Sequence, residues 1–242
     1  LCHQIEEVIE QVIQEDHQKS VGILVVGGGA GGVELSFTFQ KRFGSLGLLA
    51  NVTMIEKDEE LLLDYSTSIR KRILSHMGRR GISIICNAEV CEVGSDSVVL
   101  ENGQNLDFDL LIWVTGPWSQ EIFKESGLST DAKGFVLVRS TLQFAEYDNL
   151  FGVGDCATLV EAPLTPKAGV YAVRQGPCLT HNLYRWLDDG PLRNYHPQAD
   201  FLTLLNLGDG SAVGGKWGYS IEGRWVMKLK DYIDRKFVAD FS

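Results

Sequence analysis

The fold of this 242-residue chain is decided by the stretch Val21-Gly22-Ile23-Leu24-Val25-Val26-Gly27-Gly28-Gly29-Ala30-Gly31-Gly32-Val33-Glu34. An apolar run leads directly into the pattern G-x-G-x-x-G, and a helix-like pattern follows. Gly27 permits a tight turn, Gly29 lets the backbone approach a pyrophosphate, and Gly32 lets the helix pack closely on the strand. The free N–H groups and the positive dipole end of that helix would hold the phosphates. The stretch therefore predicts a strand–turn–helix unit that binds a dinucleotide.

Strands and helices alternate outward from this turn. In the first half of the chain we predict helices over 33–43 and 65–77, and strands over 51–55, 82–85 and 110–114. This alternation is typical of a parallel sheet with right-handed crossovers. The segment around 98–103 contains an Asn-Gly turn and predicts a β-meander.

The second half of the chain has a different pattern of predicted elements. We predict a strand over 134–138, a buried strand that ends at Gly154-Asp155, and a long helix over 168–187. Two short strands flank 208–210, and a final helix covers 223–237.

Composition limits the function classes. The hydrophobic content of 44% supports a packed core, and the formal net charge of -10 argues against a nucleic-acid surface. The five cysteines are scattered without a C-x-x-C pair, which is typical of reduced thiols in a cytoplasmic protein, and we interpret them as small packing residues. Clustered Cys and His are lacking in the sequence, so no metal site is predicted.

An acid follows the second predicted strand. Glu56 stands where a carboxylate can accept hydrogen bonds from the hydroxyls of an adenosine ribose, and it would repel a 2′-phosphate. The pattern therefore favours NADH over NADPH, although the neighbouring Lys57 would tolerate a phosphate.

Glu34 and Asp155 each have two interpretations. Glu34 falls in the predicted first turn of the helix, where it either complements the helix dipole or lies at the nicotinamide end of the cofactor. Asp155 either binds a sugar-like polyol or caps a turn. The run 166–176 opens another helix, whose start can stabilise an electron-rich ring edge.

The order of these pieces resembles the two-dinucleotide-binding flavoproteins known as pyridine nucleotide–disulfide oxidoreductases, and within them type II NADH dehydrogenase-like proteins. The residues that carry the resemblance are 27–34, Glu56, Thr115-Gly116, 149–156 and 168–176. The resemblance implies two cofactors, FAD and NADH, with hydride transfer from NADH to FAD and onward to a quinone or another acceptor.

The resemblance also implies site residues. NADH would be held by Gly27, Gly29, Ala30, Gly31, Gly32, Glu34, Glu56, Lys57, Thr115 and Gly116. FAD would be held by Gly154, Asp155, Lys167, Ala168, Gly169 and Gln175. The catalytic candidates are Glu34, which would position the nicotinamide, and Gln175, which would border the flavin. Neither is assigned as a general acid or base.

A narrower likeness is to the module fused to, or encoded beside, selenide, water dikinase. It is carried by 166–177, 195–198, 207–210 and 225–237. It implies a dikinase domain as a partner.

Only one G-x-G-x-x-G occurs, whereas superfamily members carry two. We assign this motif to NADH, because no second motif appears before Gly154-Asp155. The first part of the FAD domain is therefore expected to be missing from this chain. The alternatives are an NADH-binding module without turnover, and a disulfide reductase whose cysteines lie in the missing region.

The predicted fold is α/β. It comprises a lead-in helix from the FAD domain (1–18), a Rossmann-like NADH-binding domain with a parallel sheet and β-meander (19–116), the C-terminal part of an FAD-binding domain (117–190), and a small α+β tail (191–242).

The last helix is basic and amphipathic. Its apolar side carries Trp225, Leu229, Tyr232, Ile233 and Phe237. Such a helix either lies on a membrane surface or docks onto its own domain or a second copy in a homodimer, and we favour docking.

Overall fold

The computed structural model describes residues 20–239, so the predicted lead-in helix over 1–18 lies outside the described residues. The chain divides into two compact units. The described part of the first unit comprises 20–116 and 202–239, and the second unit is Pro117–Phe201.

A parallel sheet forms the centre of the first unit. It contains strands β1 (Ser20–Val26), β2 (Leu49–Ile55), β3 (Ser83–Ile85) and β7 (Leu110–Trp113), with helices α1 (Ala30–Ser45) and α2 (Thr67–Arg79) between them. The strands lie in the order β3-β2-β1-β7, and every neighbouring pair is parallel. β1 is a nearly continuous apolar run because it lies inside the sheet and is covered on both faces.

The predicted meander is present. It consists of β4 (Val90–Val93), β5 (Ser97–Leu100) and β6 (Asn105–Asp107), paired antiparallel in that order. Val98 and Leu100 on its middle strand are buried, and they share a cluster with Leu24 and Val26 of β1. The predicted α/β fold with a parallel sheet and a meander is confirmed.

The tail completes the core of the first unit. Its antiparallel sheet contains β12 (Thr203–Asn206), β13 (Ala212–Lys216) and β14 (Tyr219–Gly223). Leu205, Leu207 and Val213 belong to the same buried cluster as β1. The guanidinium of Arg80, at the end of α2, donates to the Leu207 carbonyl and to Asp209. The tail is therefore an integral layer of this unit.

Sequence reasoning missed β14. The hairpin turn uses Trp217 and Gly218 at φ of 53° and 79°. Two-residue turns with both φ positive are usually marked by Asn-Gly or Asp-Gly, so a Trp-Gly pair gave no signal.

Helix α5 (Arg224–Ala239) follows β14 and packs on the tail sheet. Val226 is fully buried, whereas Trp225 and Tyr232 on the predicted apolar side are 56% and 65% exposed. Docking onto its own unit thus involves Val226, which was not predicted, and the predicted Leu229, which is half-buried. No helix within residues 20–239 is long and apolar enough to cross a bilayer.

The elements of the second unit are α3 (Ile122–Glu125), β8 (Val136–Val138), β9 (Gln143–Phe144), β10 (Tyr147–Phe151), a 3-10 turn (Gly154–Cys156), β11 (Ala157–Leu159) and α4 (Gly169–Leu187). Its four strands form a small mixed sheet in the order β10-β9-β8-β11. Two predictions are wrong here. β10 is an exposed edge strand instead of a buried one, and Cys156 is exposed instead of packed.

We expect Gly208→Ala to destabilise the chain more than Gly210→Ala. Both glycines have positive φ, which costs about 1 kcal/mol for alanine. A Cβ on Gly208 would also lie 2.7 Å from the Phe37 carbonyl oxygen of α1, whereas one on Gly210 meets no atom within 4 Å. Gly208→Ala should therefore cost about 3 kcal/mol in urea unfolding. Equal losses would contradict the close packing of the tail on α1.

Candidate functional site

The glycine turn after β1 is shaped by close backbone approaches. Gly27 has φ of 116°, and a Cβ there would overlap the Val114 carbonyl at the end of β7. A Cβ on Gly32 would overlap the Gly27 carbonyl oxygen. Both positions therefore require glycine, so that α1 can begin directly against the strand ends.

The start of α1 has room for an anion. Gly29 is the N-cap and supplies no side-chain hydrogen bond. The amides of Ala30, Gly31 and Gly32 have no carbonyl one turn before them. A Cβ on Gly29 or Gly31 would meet no atom within 4 Å. Orphan amides at a helix N-terminus, with free space beside Gly29 and Gly31, fit a pyrophosphate.

Glu56 follows β2 and reaches the glycine turn. Its carboxylate accepts hydrogen bonds from the backbone N–H of Gly28 at 2.5 Å and of Asp58 at 3.0 Å. A carboxylate has about four acceptor positions, so it retains capacity for ribose hydroxyls. Lys57, beside it, is exposed.

Thr115 and Gly116 lie at the end of β7. A Cβ on Gly27 would be 2.9 Å from the Thr115 nitrogen. The Thr115 hydroxyl accepts a hydrogen bond from the Trp113 indole at 3.0 Å. The carboxyl ends of β1, β2 and β7 therefore meet at one edge of the sheet, which is where open α/β sheets bind ligands.

The sequence predicted Glu34 in the first turn of α1, and this is wrong because the helix begins at Ala30. Glu34 lies in the second turn. Its carboxylate accepts the Asn206 backbone N–H at 2.7 Å, and Lys230 of α5 lies 3.8 Å away. Burial, followed by the nearby Glu34 charge, raises the pKa of Tyr65. The tail thus holds the carboxylate that sequence reasoning placed near the nicotinamide.

The second unit contains a small cleft, open to solvent, where several predicted FAD residues meet. Gly154, Asp155, Lys167 and Gln175 all line it. Gln175 is 5% exposed, and its side-chain carbonyl accepts the Gly154 N–H at 2.6 Å. Gln175 therefore fixes the Gly154-Asp155 turn.

Helix α4 begins directly after Lys167 in sequence. Ala168 is its N-cap, without a side-chain hydrogen bond, and Gly169 is its first residue. The exposed Asp155 carboxylate, the first amides of α4 and the Lys167 ammonium form a donor and acceptor set that fits part of a flavin nucleotide.

Two polar residues near this cleft were missed by sequence reasoning. The Thr158 hydroxyl donates to Asp131 at 2.7 Å and accepts from the Lys167 ammonium at 2.8 Å. Partial burial raises the pKa of Asp131, but hydrogen bonds from Thr158 and from two backbone amides outweigh it and lower the pKa overall. Burial lowers the pKa of Lys167, against the nearby charges of Asp131 and Asp155.

The first unit has the arrangement that defines Rossmann-type dinucleotide-binding folds: a parallel sheet, a glycine turn after one strand and an acid after the next. The chain belongs to the pyridine nucleotide-disulphide oxidoreductase family, which it matches over residues 2–176. The predicted family is confirmed. Membership implies FAD and NADH as the cofactors of this class, as the sequence predicted.

Individual relatives support the same family. The chain is 24% identical over 239 residues to a type II NADH:quinone oxidoreductase of Haemophilus influenzae, covering 91% of this chain and 53% of the relative. It is 28% identical over 235 residues to ferroptosis suppressor protein 1 of Taeniopygia guttata, covering 92% of this chain and 60% of the relative. The chain thus spans between half and two thirds of the length of these curated relatives.

The fold has solved counterparts. NDH2 from Plasmodium falciparum, solved in complex with NADH, superposes with a TM-score of 0.76 at 14% identity. The match covers 97% of this chain and 66% of that chain. This likeness supports the fold.

We expect the stabilising contribution of Asp131 to disappear in acid. Its pKa in the folded chain lies below the ordinary value of 3.8. The ionised group therefore stabilises the fold above that pH, and the contribution is lost as the pH falls through the folded pKa. The free energy of unfolding should be higher for the wild type than for Asp131→Asn at about pH 6, and the difference should narrow by about pH 2. Urea titrations at both pH values measure it, and a constant difference would refute the ionised role.

Proposed function

We propose that this chain supplies the NADH site and part of the FAD site of an NADH-dependent flavin oxidoreductase that passes electrons to a quinone. The observation that carries the proposal is the anion-ready glycine turn at the shared ends of β1, β2 and β7, with Glu56 hydrogen-bonded to it. The family membership and the type II NADH:quinone oxidoreductase relatives support the reaction class.

On the NADH side, the chain binds and orients. The amides of Ala30, Gly31 and Gly32 would hold the pyrophosphate, since no side chain competes for them. Thr115 and Gly116 would border the cofactor at the end of β7. Glu34, held by the Asn206 amide and Lys230, would position the nicotinamide.

The choice of NADH over NADPH rests on Glu56. Its carboxylate would accept hydrogen bonds from the ribose hydroxyls, whereas a 2′-phosphate would face like charge. Lys57 is exposed beside it and would offset part of that repulsion.

On the FAD side, Asp155 would bind the ribityl–phosphate part, and Gln175 would keep the Gly154-Asp155 turn in place beside the ring. Lys167, Ala168 and Gly169 would contribute a cation and helix amides. When bound, FAD supplies the hydride acceptor for NADH and the electron donor for the quinone.

We also propose partners for the chain at the level of domains and surfaces. The segments 166–177, 195–198, 207–210 and 225–237 support an association with a selenide, water dikinase domain. The basic helix α5, with exposed Trp225 and Tyr232, supports peripheral membrane attachment or a homodimer contact.

The central test is a flavin and turnover assay on the purified chain. We expect added FAD to remain bound through gel filtration, to give a yellow flavin band, and to support NADH oxidation with a soluble quinone. NADH binding without a flavin band would favour the module that binds without turnover. In the same assay on the full-length protein, reduction of a disulfide in preference to the quinone would favour the disulfide reductase whose cysteines lie outside this chain.

We expect Glu56→Gln to change nucleotide preference. The variant keeps an acceptor for the Gly28 amide but loses the charge that binds the ribose diol. The NADH dissociation constant should rise by about tenfold relative to that for NADPH, since hydrogen bonds to charged groups are worth about 1.5–3 kcal/mol. Fluorescence titrations of both nucleotides measure the ratio, with Glu59→Gln at an exposed neighbouring position as the control. An unchanged ratio would remove Glu56 from the ribose site.

A further inference from the structure

We propose that Asp131 and Thr158 are positioning residues that hold the Lys167 ammonium against the cleft of the second unit, so that it presents a fixed positive charge to a bound flavin. The flavin part of this inference rests on the proposed function. The arrangement of the three side chains does not.

Asp131, Thr158 and Lys167 form a hydrogen-bond relay, and the chemistry of the three groups fixes the direction of each bond in it. The Asp131 carboxylate can only accept, so the Thr158 hydroxyl proton is committed to it at 2.7 Å. The lone pairs of that hydroxyl then face the Lys167 ammonium at 2.8 Å. The negative charge of Asp131 therefore polarises Thr158 toward the lysine.

Asp131 is itself held rigidly. Its other carboxylate oxygen accepts the backbone N–H groups of Lys133 at 2.8 Å and of Phe135 at 3.1 Å. This anchoring fixes which oxygen faces Thr158. An amide in place of the carboxylate would keep its oxygen on the two backbone donors and turn its NH₂ toward Thr158, which reverses the polarity of the relay.

The ammonium of Lys167 is restrained in two further directions. It donates to the Ala157 carbonyl, and it lies 4.4 Å from the centroid of the Phe135 ring. Thr158, the middle residue of the relay, is only 4% exposed, whereas Asp131 and Lys167 at its two ends are half-buried. A cation held on three sides is pre-organised and needs little rearrangement when a ligand arrives.

Lys167 is the one basic residue that lines this cleft in the described part of the chain. Asp131 does not line it, and it acts only through Thr158. A fixed cation beside a flavin ring favours the reduced, more negatively charged form. Losing the relay should therefore alter the charge in the cleft while leaving Asp155 and Gln175 in place.

The positioning part is tested without flavin, by measuring how fast an amine-acylating reagent modifies Lys167 in the full chain, read by mass spectrometry. We expect Asp131→Asn and Thr158→Val to raise the rate by about tenfold, the factor expected when a charged group loses one hydrogen bond. Asp148→Asn, at a carboxylate that is 79% exposed and pairs with Arg139, is the matched control and should leave the rate unchanged.

Thr158→Ser separates the relay from simple packing. Serine keeps the hydroxyl but loses the methyl group, whereas valine keeps the shape but loses the hydroxyl. The relay predicts a wild-type labelling rate for Thr158→Ser and a raised rate for Thr158→Val. The opposite pattern, or an unchanged rate in Thr158→Val and Asp131→Asn, would overturn the positioning role.

The flavin part is tested by the reduction potential of FAD bound to the full chain. We expect Lys167→Met and Thr158→Val to shift it to more negative values, with Lys167→Arg staying near the wild type. An unshifted potential in Lys167→Met would overturn the charge role. If the chain retains no FAD, the proposed function and the flavin part fail together, while the labelling rates still decide the positioning of Lys167.

Discussion

The first unit depends on a backbone-to-backbone approach at the glycine turn. Gly27 lies against the end of β7, and Gly32 lies against Gly27. Since no side chain fits at either contact, α1 can begin immediately at the strand ends, and the first turn of the helix has free space beside Gly29 and Gly31. The same approach lets Glu56 reach the turn from β2. The backbone approach at this turn thus sets both the packing of α1 on the sheet and the placement of the groups that we propose bind the nucleotide.

Much of this unit could be predicted because its signals are local. Apolar runs mark β1 and β2, the glycine pattern marks the turn, and the position of Glu56 follows from the end of its strand. Prediction failed where the signal is weak or where a feature depends on distant parts of the chain. β14 follows a Trp-Gly turn, a pair that does not mark a hairpin in sequence, and β10 is exposed because it forms the edge of its sheet.

The second site was less predictable for the same reason. Gly154-Asp155 and the start of α4 are recognisable from the resemblance, but the contacts that hold them are distant in sequence. Gln175 reaches back to Gly154, and Thr158 joins Asp131 to Lys167 across two separate segments. A single aspartate in a loop such as Asp131 gives no pattern that indicates such a link.

The tail has a consequence for dissecting this chain. Asn206 and Lys230 hold Glu34, and Leu205 and Leu207 enter the core around β1. A fragment cut after Gly116 would leave that carboxylate without these partners and expose the apolar surface they cover. The first unit is therefore discontinuous in sequence, and isolating it requires joining the segment that ends at Gly116 to the segment that begins at Leu202 through a linker in place of the intervening unit.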